Sequence, residues 1–425
     1  MAERAFNNVT LLLIATFAIA ITIPCVEANI GQFDDYLREK AEQARRAALE
    51  AYEHDPFNVT SEFNMHVHLA MDEFNNGTRR ALLAQKDKGP CMITNPIDRC
   101  WRCDKNWAKN RFKLAWCAKG FGRKTTGGLG GPIYVVTDNS DDLVNPKPGT
   151  LSMVIQLKGE LLVTSNKTID GRGANVQIKG GSGITLQYVN NVIIHGLRIK
   201  NIKSQKGGLI RDAVDHVGLR TRSDGDGISL FGATNVWIDH ISMSNADDGL
   251  IDIIMASTGI TISNCHLTKH NDVMLFGAND LHVGDKVMQV TVAFNFFGQG
   301  LTQRMPRCRF GWFHVVNNHY THWQMHAIGG SSNPTILSQG NRYIAPNNPH
   351  AKMITYRHDT PESVWRKWQW TTEMDAFVNG AIFIPSGKPV SKAGIKNLIK
   401  PRPGVDVRKL TRYAGALNCK VGQPC

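Results

Sequence analysis

The sequence predicts an all-β chain, a right-handed parallel β-helix with a small helical N-terminal extension. Three observations point there. From about residue 125 the texture becomes glycine-rich turns and short β-branched runs, with no long helical pattern until late in the chain. Segments of one texture recur at 192–199, 236–243, 260–267, 290–297, 313–320 and 336–343. With Leu197, Ile241, Cys265, Asn295, Asn318 and Asn341 taken as equivalent, the spacings are 44, 24, 30, 23 and 23, a base period near 23. A repeat of this length with short strands and no intervening helix favours one coil of a parallel β-helix per period. Finally, Asn295, Asn318 and Asn341 recur at one turn position. One asparagine there is a turn former; three in register favour side-chain amides paired from coil to coil. Leucine-rich repeats and propellers are disfavoured, because neither the leucine signature nor a Trp-Asp blade motif repeats at a fixed interval.

In chain order, residues 1–28 carry a basic start at Arg4, an apolar run from Val9 to Ile23 and small residues near Ala28. These are the parts of a cleaved secretory signal. A membrane span needs about 20 apolar residues, and this run stops at Pro24. The mature chain is expected to begin near Asn29, to be secreted to the extracellular space or cell wall, and to carry no membrane span. Cys25 leaves with the signal, so eight of the nine cysteines remain in an oxidising compartment where disulfides are the default. Cys91, Cys100, Cys103 and Cys117 cluster, but no second Cys-x2-Cys or His pair follows, so a covalent staple is favoured over zinc. The pairing of Cys308 stays open. Sequons at Asn58, Asn76 and Asn166 allow glycosylation.

Residues 29–90 form the extension. Phe33, Tyr36, Leu37, Ala41, Ala44, Ala48 and Ala51 fall at helical intervals over about 33–52, and His54-Asp55-Pro56 ends that helix. A weaker apolar pattern runs over about 61–88. The β-helix domain with a C-terminal tail takes residues 91–425. Excess length in the 44- and 30-residue intervals maps to loops, often on a binding face.

Lys plus Arg outnumber Asp plus Glu by 49 to 36, a net charge of +13, which favours an acidic partner. Secretion and the absence of a basic helix array, zinc finger or aromatic RNA-binding motif argue against nucleic acid. An acidic polysaccharide fits, and ordinary solvated surface charge is the alternative that composition leaves open.

Two acidic clusters carry the candidate chemistry. Ser223-Asp224-Gly225-Asp226-Gly227 and Asn245-Ala246-Asp247-Asp248-Gly249-Leu250-Ile251-Asp252 are 24 residues apart from Asp224 to Asp248, about one coil. Residues one coil apart stack in space, so carboxylates distant in sequence converge. Each Asp-Gly taken singly is an ordinary turn; two clusters in register favour a hard cation such as calcium, since uncompensated carboxylates repel. Further on, Gln303-Arg304-Met305-Pro306-Arg307-Cys308-Arg309 ends the enlarged interval, and the forked donors of Arg304 and Arg309 suit carboxylates.

Val-Trp-Ile-Asp-His at 236–240, Asp-Gly-Leu-Ile-Asp at 248–252, Arg-Met-Pro-Arg-Cys-Arg at 304–309 and Ala-Ile-Gly-Gly-Ser-Ser-Asn-Pro-Thr-Ile at 327–336 closely resemble plant pectate lyases. The resemblance covers about residues 90–360, and the extension resembles that of flower and pollen members. It implies a monomeric parallel β-helix that binds polygalacturonate through Ca2+ and breaks it by β-elimination. By motif position it implies Asp224, Asp248 and Asp252 as calcium ligands, Arg304 as the catalytic base and Arg309 as a substrate-binding arginine, with Asp226 a candidate for a second calcium. Trp237, Asp239 and His240 are expected to support the coil. Many family members carry a Lys before the Val-Met-Leu segment, where this chain has Asp272 before Val273.

An arginine base is ordinarily protonated, its free pKa being about 12.5 to 13.8, so this reading expects an alkaline optimum. Two competitors share the pattern. A polygalacturonase would hydrolyse the same polymer with paired carboxylates, which Asp247-Asp248 superficially fits, but it leaves Arg304 and Arg309 without a role. A non-catalytic pectin-binding or allergen-like relative would keep the fold without the activity, and Asp272 is the residue that favours it.

Overall fold

A computed structural model describes residues 34–83, 93–136, 154–388 and 401–425. The expected secretory leader at 1–28 and Cys91 lie outside them. The expected right-handed parallel β-helix is present. Among the described residues, one nine-stranded and two eight-stranded sheets run the length of the coil, with every neighbouring pair parallel.

Hydrogen-bonded register reproduces the repeat. In one eight-stranded sheet, here the back sheet, Val192, Val236, Ile260, Val290, Phe313 and Ile336 follow one another as partners. The intervals of 44 and 30 are therefore single coils with excursions in their turns. Alternation along each strand sends Val236 and Ile238, then Ile260 and Ile262, into the coil interior, all fully buried. Each such side chain contributes about 1.5–3 kcal/mol of burial. Phe297, Tyr320 and Tyr343 stack in the same core with ring centroids 4.4 and 4.6 Å apart.

The asparagine ladder is also present. Asn295 Nδ2 donates to Asn318 Oδ1 at 3.0 Å, and Asn318 Nδ2 donates to Asn341 Oδ1 at 3.0 Å. Each acceptor oxygen also takes a backbone N–H from the coil before it, so the buried amides are matched. Asp375 Oδ1 ends the series by accepting from Asn341 Nδ2 at 3.2 Å.

The extension forms helix α1 (Asp35–Ala51) and helix α2 (Pro56–Leu83), and the short helix α3 (Pro96–Trp101) follows the undescribed stretch. Asp34 caps α1 by accepting from the Tyr36 and Leu37 amides. Asp55 does the same ahead of Pro56, which takes the first position of α2. These helices do not stand apart from the coil. Phe63 of α2 stacks on Phe294 at 5.4 Å, and Ile193, Trp237, Ala293 and Val316 face outward from the back sheet into a second core shared with α2 and α3. Covered on both faces, this sheet reads as near-continuous apolar runs.

The motif at 236–240 anchors this layer. His240 Nε2 lies 2.7 Å from Asp98 Oδ1 in α3, and Asp239 Oδ1 accepts from Ser263 Oγ at 2.6 Å and Asn264 Nδ2 at 2.9 Å. All three motif side chains are fully buried, in the supporting role expected of them. Disulfides join Cys100 to Cys117 and Cys419 to Cys425. Cys265 and Cys308 are buried thiols in the coil core. The sequon residues Asn58, Asn76 and Asn166 are exposed.

Candidate functional site

The remaining eight-stranded sheet, the site sheet, orders the strands Leu161–Leu162, Ile184–Gln187, Ile228–Phe231, Ile251–Ile254, Met274–Phe276, Arg307–Arg309, Ile328–Ser331 and Thr355–Arg357. Its inner positions are apolar and its outer positions carry the chemistry. Asp252 sits between the buried Ile251 and Ile253, so its side chain projects outward. The column through Asp252 runs Ser229, Asp252, Leu275, Arg307, Gly329. Cations and carboxylates thus share one outer face.

Register decides which acids meet. In this sheet Ile228 pairs with Ile251, an offset of 23, one short of the 24 that separates Asp224 from Asp248. Carboxylate oxygens of Asp226, Asp248 and Asp252 lie within 4.8 Å of one another. Asp224 stands beside this group, close enough that its charge raises Asp226 and Asp252 and that the charge of Asp248 raises it. Asp247, the other half of the hydrolase-like pair, is turned to Lys203 Nζ at 2.8 Å.

Gly249 makes the convergence possible. A Cβ there would come within 2.2 Å of Asp252 Oδ1 and 3.2 Å of Asp226 Oδ1. The Gly249 amide donates to Asp226 Oδ1 at 2.8 Å, while Asp252 Oδ1 is buried without a hydrogen-bond partner. Burial, then the surrounding carboxylates, pushes Asp252 up to about 8 and Asp226 well above the usual range. Burial raises Asp224 and Asp248 too, with Asp248 and Asp272 respectively as the next cause. The donor set fits calcium. Hard oxygens bound at about 2.3–2.6 Å span at most about 5 Å across an ion, and neither His nor Cys belongs to the group.

Arg304 closes the other side, its charge acting on Asp248 and Asp252 against their upward shift. Its backbone is left-handed, with φ 57°, which disfavours a side-chain-bearing residue. Its Nε forms an ion pair with Asp272 Oδ1 at 3.0 Å, and Asp272 Oδ1 accepts a hydrogen bond from Gln303 Nε2 at 3.1 Å. Arg309 is largely buried, held by Asp280 Oδ1 at 2.8 Å and the Gly277 carbonyl at 2.6 Å. Arg307, which the sequence reading passed over, shares their face because Cys308 between them points inward. Burial, then Arg309 and Arg304, lowers Arg307 to about 10. Strand alternation was the signal that would have found it.

Residues 118–364 match the family described as pectate lyase, and residues 29–82 match its N-terminal region. The chain is 55% identical to a pectate lyase of Lilium longiflorum over 100% of both chains. It is 54% identical to the probable pectate lyase P59 of Solanum lycopersicum over 98% of each. Among solved structures, jun a 1, the major allergen from cedar pollen, superposes with a TM-score of 0.73 at 45% identity, covering 76% of this chain and 99% of that one.

Proposed function

The chain belongs to the pectate lyase family, and we propose that it is a secreted, calcium-dependent enzyme that cleaves polygalacturonate by β-elimination. One observation carries this reading: three carboxylates converge within 4.8 Å on the face that also bears Arg304, Arg307 and Arg309. Asp226, Asp248 and Asp252 would hold the cation, with Asp224 beside them. Bound calcium would neutralise the uronate carboxylate and so acidify the proton on the adjacent C5.

The protein's own groups supply the remainder. Arg307 and Arg309 offer positive charge to the substrate carboxylate. Arg304, in its neutral form, takes the C5 proton; the C5–H electron pair becomes the C4–C5 double bond, and the C4–O bond breaks with its electrons on the departing sugar oxygen. Accepting a proton requires loss of the guanidinium charge, which is why an alkaline optimum is expected. Secretion is supported by the leader at 1–28. No helix among the described residues is long and apolar enough to cross a membrane.

A second reading is favoured by the Asp272–Arg304 ion pair: calcium-dependent pectate binding without cleavage, since Asp272 competes with substrate for the candidate base. An assay for ultraviolet-absorbing unsaturated product across pH, with and without chelator, separates them. Chelator-sensitive product at alkaline pH supports the lyase. Tight binding of polygalacturonate with no unsaturated product at any pH supports the binder.

A further inference from the structure

The 30-residue coil carries its excess between the site sheet and the back sheet. Ile253 pairs with Phe276 and Ile260 with Val290, so the connection between these strands spans 7 positions in one coil and 14 in the next. The longer connection is anchored to the coil before it, where Asp285 Oδ1 accepts from the Ala256 amide at 2.6 Å. From this excursion Asp280 reaches back to the site. Its Oδ1 accepts from Arg309 Nε at 2.8 Å and from Ser331 Oγ at 3.0 Å. Ser331 is the register partner of Arg309 on the following strand, so one loop carboxylate ties two successive coils on the face that bears the arginines.

The Arg309 guanidinium is held at a second point, Nη1 donating to the Gly277 carbonyl at 2.6 Å. That contact requires a bare glycine, because a Cβ at Gly277 would stand 2.8 Å from Arg309 Cβ. A guanidinium is planar and presents its donors as a rigid fork, so two fixed acceptors set its plane and the direction of its third nitrogen. Among the described residues none accepts from Nη2. Asp280 is steadied in turn by the Ser331 hydroxyl, which keeps it from following a mobile side chain. It also acts on the neighbouring cation: burial, then Arg309 and Arg304, lowers Arg307, and Asp280 is the first charge opposing them. The loop carboxylate therefore relieves repulsion among the arginines while leaving one donor of Arg309 unclaimed.

We propose that Asp280 is a positioning residue, which acts through Arg309 by aiming Nη2 at the substrate carboxylate, so that the excursion of the 30-residue coil serves capture of substrate and not the chemical step. The inference rests on the pectate reading, and binding is measured beside turnover to keep the two separable. Full-chain variants are compared by steady-state kinetics on polygalacturonate and by calorimetric titration with trigalacturonate in calcium. The Asp280 side chain is 58% exposed, so truncating it opens no cavity. Asp280→Ala is expected to raise KM and the trimer Kd about tenfold, the effect of losing one hydrogen bond to a charged group. Its kcat is expected to stay within about twofold, the pattern of lost ground-state binding. Asp280→Asn, which keeps an acceptor for Nε, is expected to stay within about threefold of wild type in both constants. In an Arg309→Ala background, Asp280→Ala is expected to bring no further loss, since a residue that acts through another is not additive with it. Unchanged KM and Kd in Asp280→Ala, or an equal further loss in the Arg309→Ala background, overturns the assignment. If wild type binds the trimer without yielding unsaturated product and the pattern of Kd values persists, the lyase reading fails and the positioning role stands. A wild type that neither binds nor cleaves overturns both.

Discussion

Asp272 Oδ1 lies 3.0 Å from Arg304 Nε, because parallel neighbouring strands set Asp272 opposite Gln303, the residue before Arg304. The pair joins the carboxylate group to the candidate base, because Asp272 also raises Asp248. Both partners are about three-quarters buried, so the pair is more than a solvated surface contact.

Removing this competitor should improve substrate capture. Asp272→Asn, and more so Asp272→Lys, is expected to lower KM for polygalacturonate by about three- to tenfold, the effect of one charge contact of roughly 1 kcal/mol. Steady-state kinetics at several pH values checks this, and a raised KM in both variants would show that Asp272 positions Arg304 productively instead of competing.

The cation site is predicted to depend on Asp226 as strongly as on Asp252. Asp226→Asn should weaken calcium binding at least about tenfold, whereas Asp224→Asn should have a smaller effect, because a ligating carboxylate contributes more than a neighbouring charge. Calorimetric titration with calcium alone reads both. Equal losses would put Asp224 in the coordination sphere.

Arg304→Lys should keep the fold and calcium affinity while removing most turnover, on the order of a hundredfold or more for loss of a general base. Circular dichroism and calcium titration serve as controls. Turnover at the wild-type rate would eliminate Arg304 as the base.

The buried Asp98–His240 pair makes stability depend on pH. Burial tends to raise Asp98, but His240 and Arg102 outweigh it and hold the carboxyl at about 2, so its contribution is lost as pH falls from about 4 toward 2. Burial tends to lower His240, but Asp98 and Asp239 outweigh it, so its contribution is present below about 6.5 and lost as pH rises through its raised folded value. Denaturant unfolding should show this pair fully engaged between about pH 4 and 6.5. Asp98→Asn should cost about 3–5 kcal/mol, the range for breaking a buried ion pair, without changing calcium affinity.

The coil was legible because its strands are short and its extra residues fall in turns: the apolar runs at 236 and 260 keep one register however long the connection. The ladder was legible because Asn295, Asn318 and Asn341 are chemically identical at equal spacing. Which aspartates converge was harder to see. A count of 24 between Asp224 and Asp248 runs through irregular turns, whereas the pairing of Ile228 with Ile251 is set by backbone hydrogen bonds, and that single-residue difference favours Asp226. The tie between Asp272 and Arg304 joins residues from successive coils, and the stacking of His216 on Tyr36 joins the 44-residue coil to the extension. Neither leaves a periodic trace.

The amide ladder from Asn295 to Asp375 pins one turn of each coil, yet its rungs are separated by 23, 23 and 34 residues. A deletion within the turn that holds a rung would draw the amide away from its partners, whereas residues added in another turn of the same coil loop out and leave the rung in place. The ladder therefore fixes where each coil turns and not how long it is, and added length collects in the other turns, as in the excursion of Gly208–Ala213 with His216–Arg220.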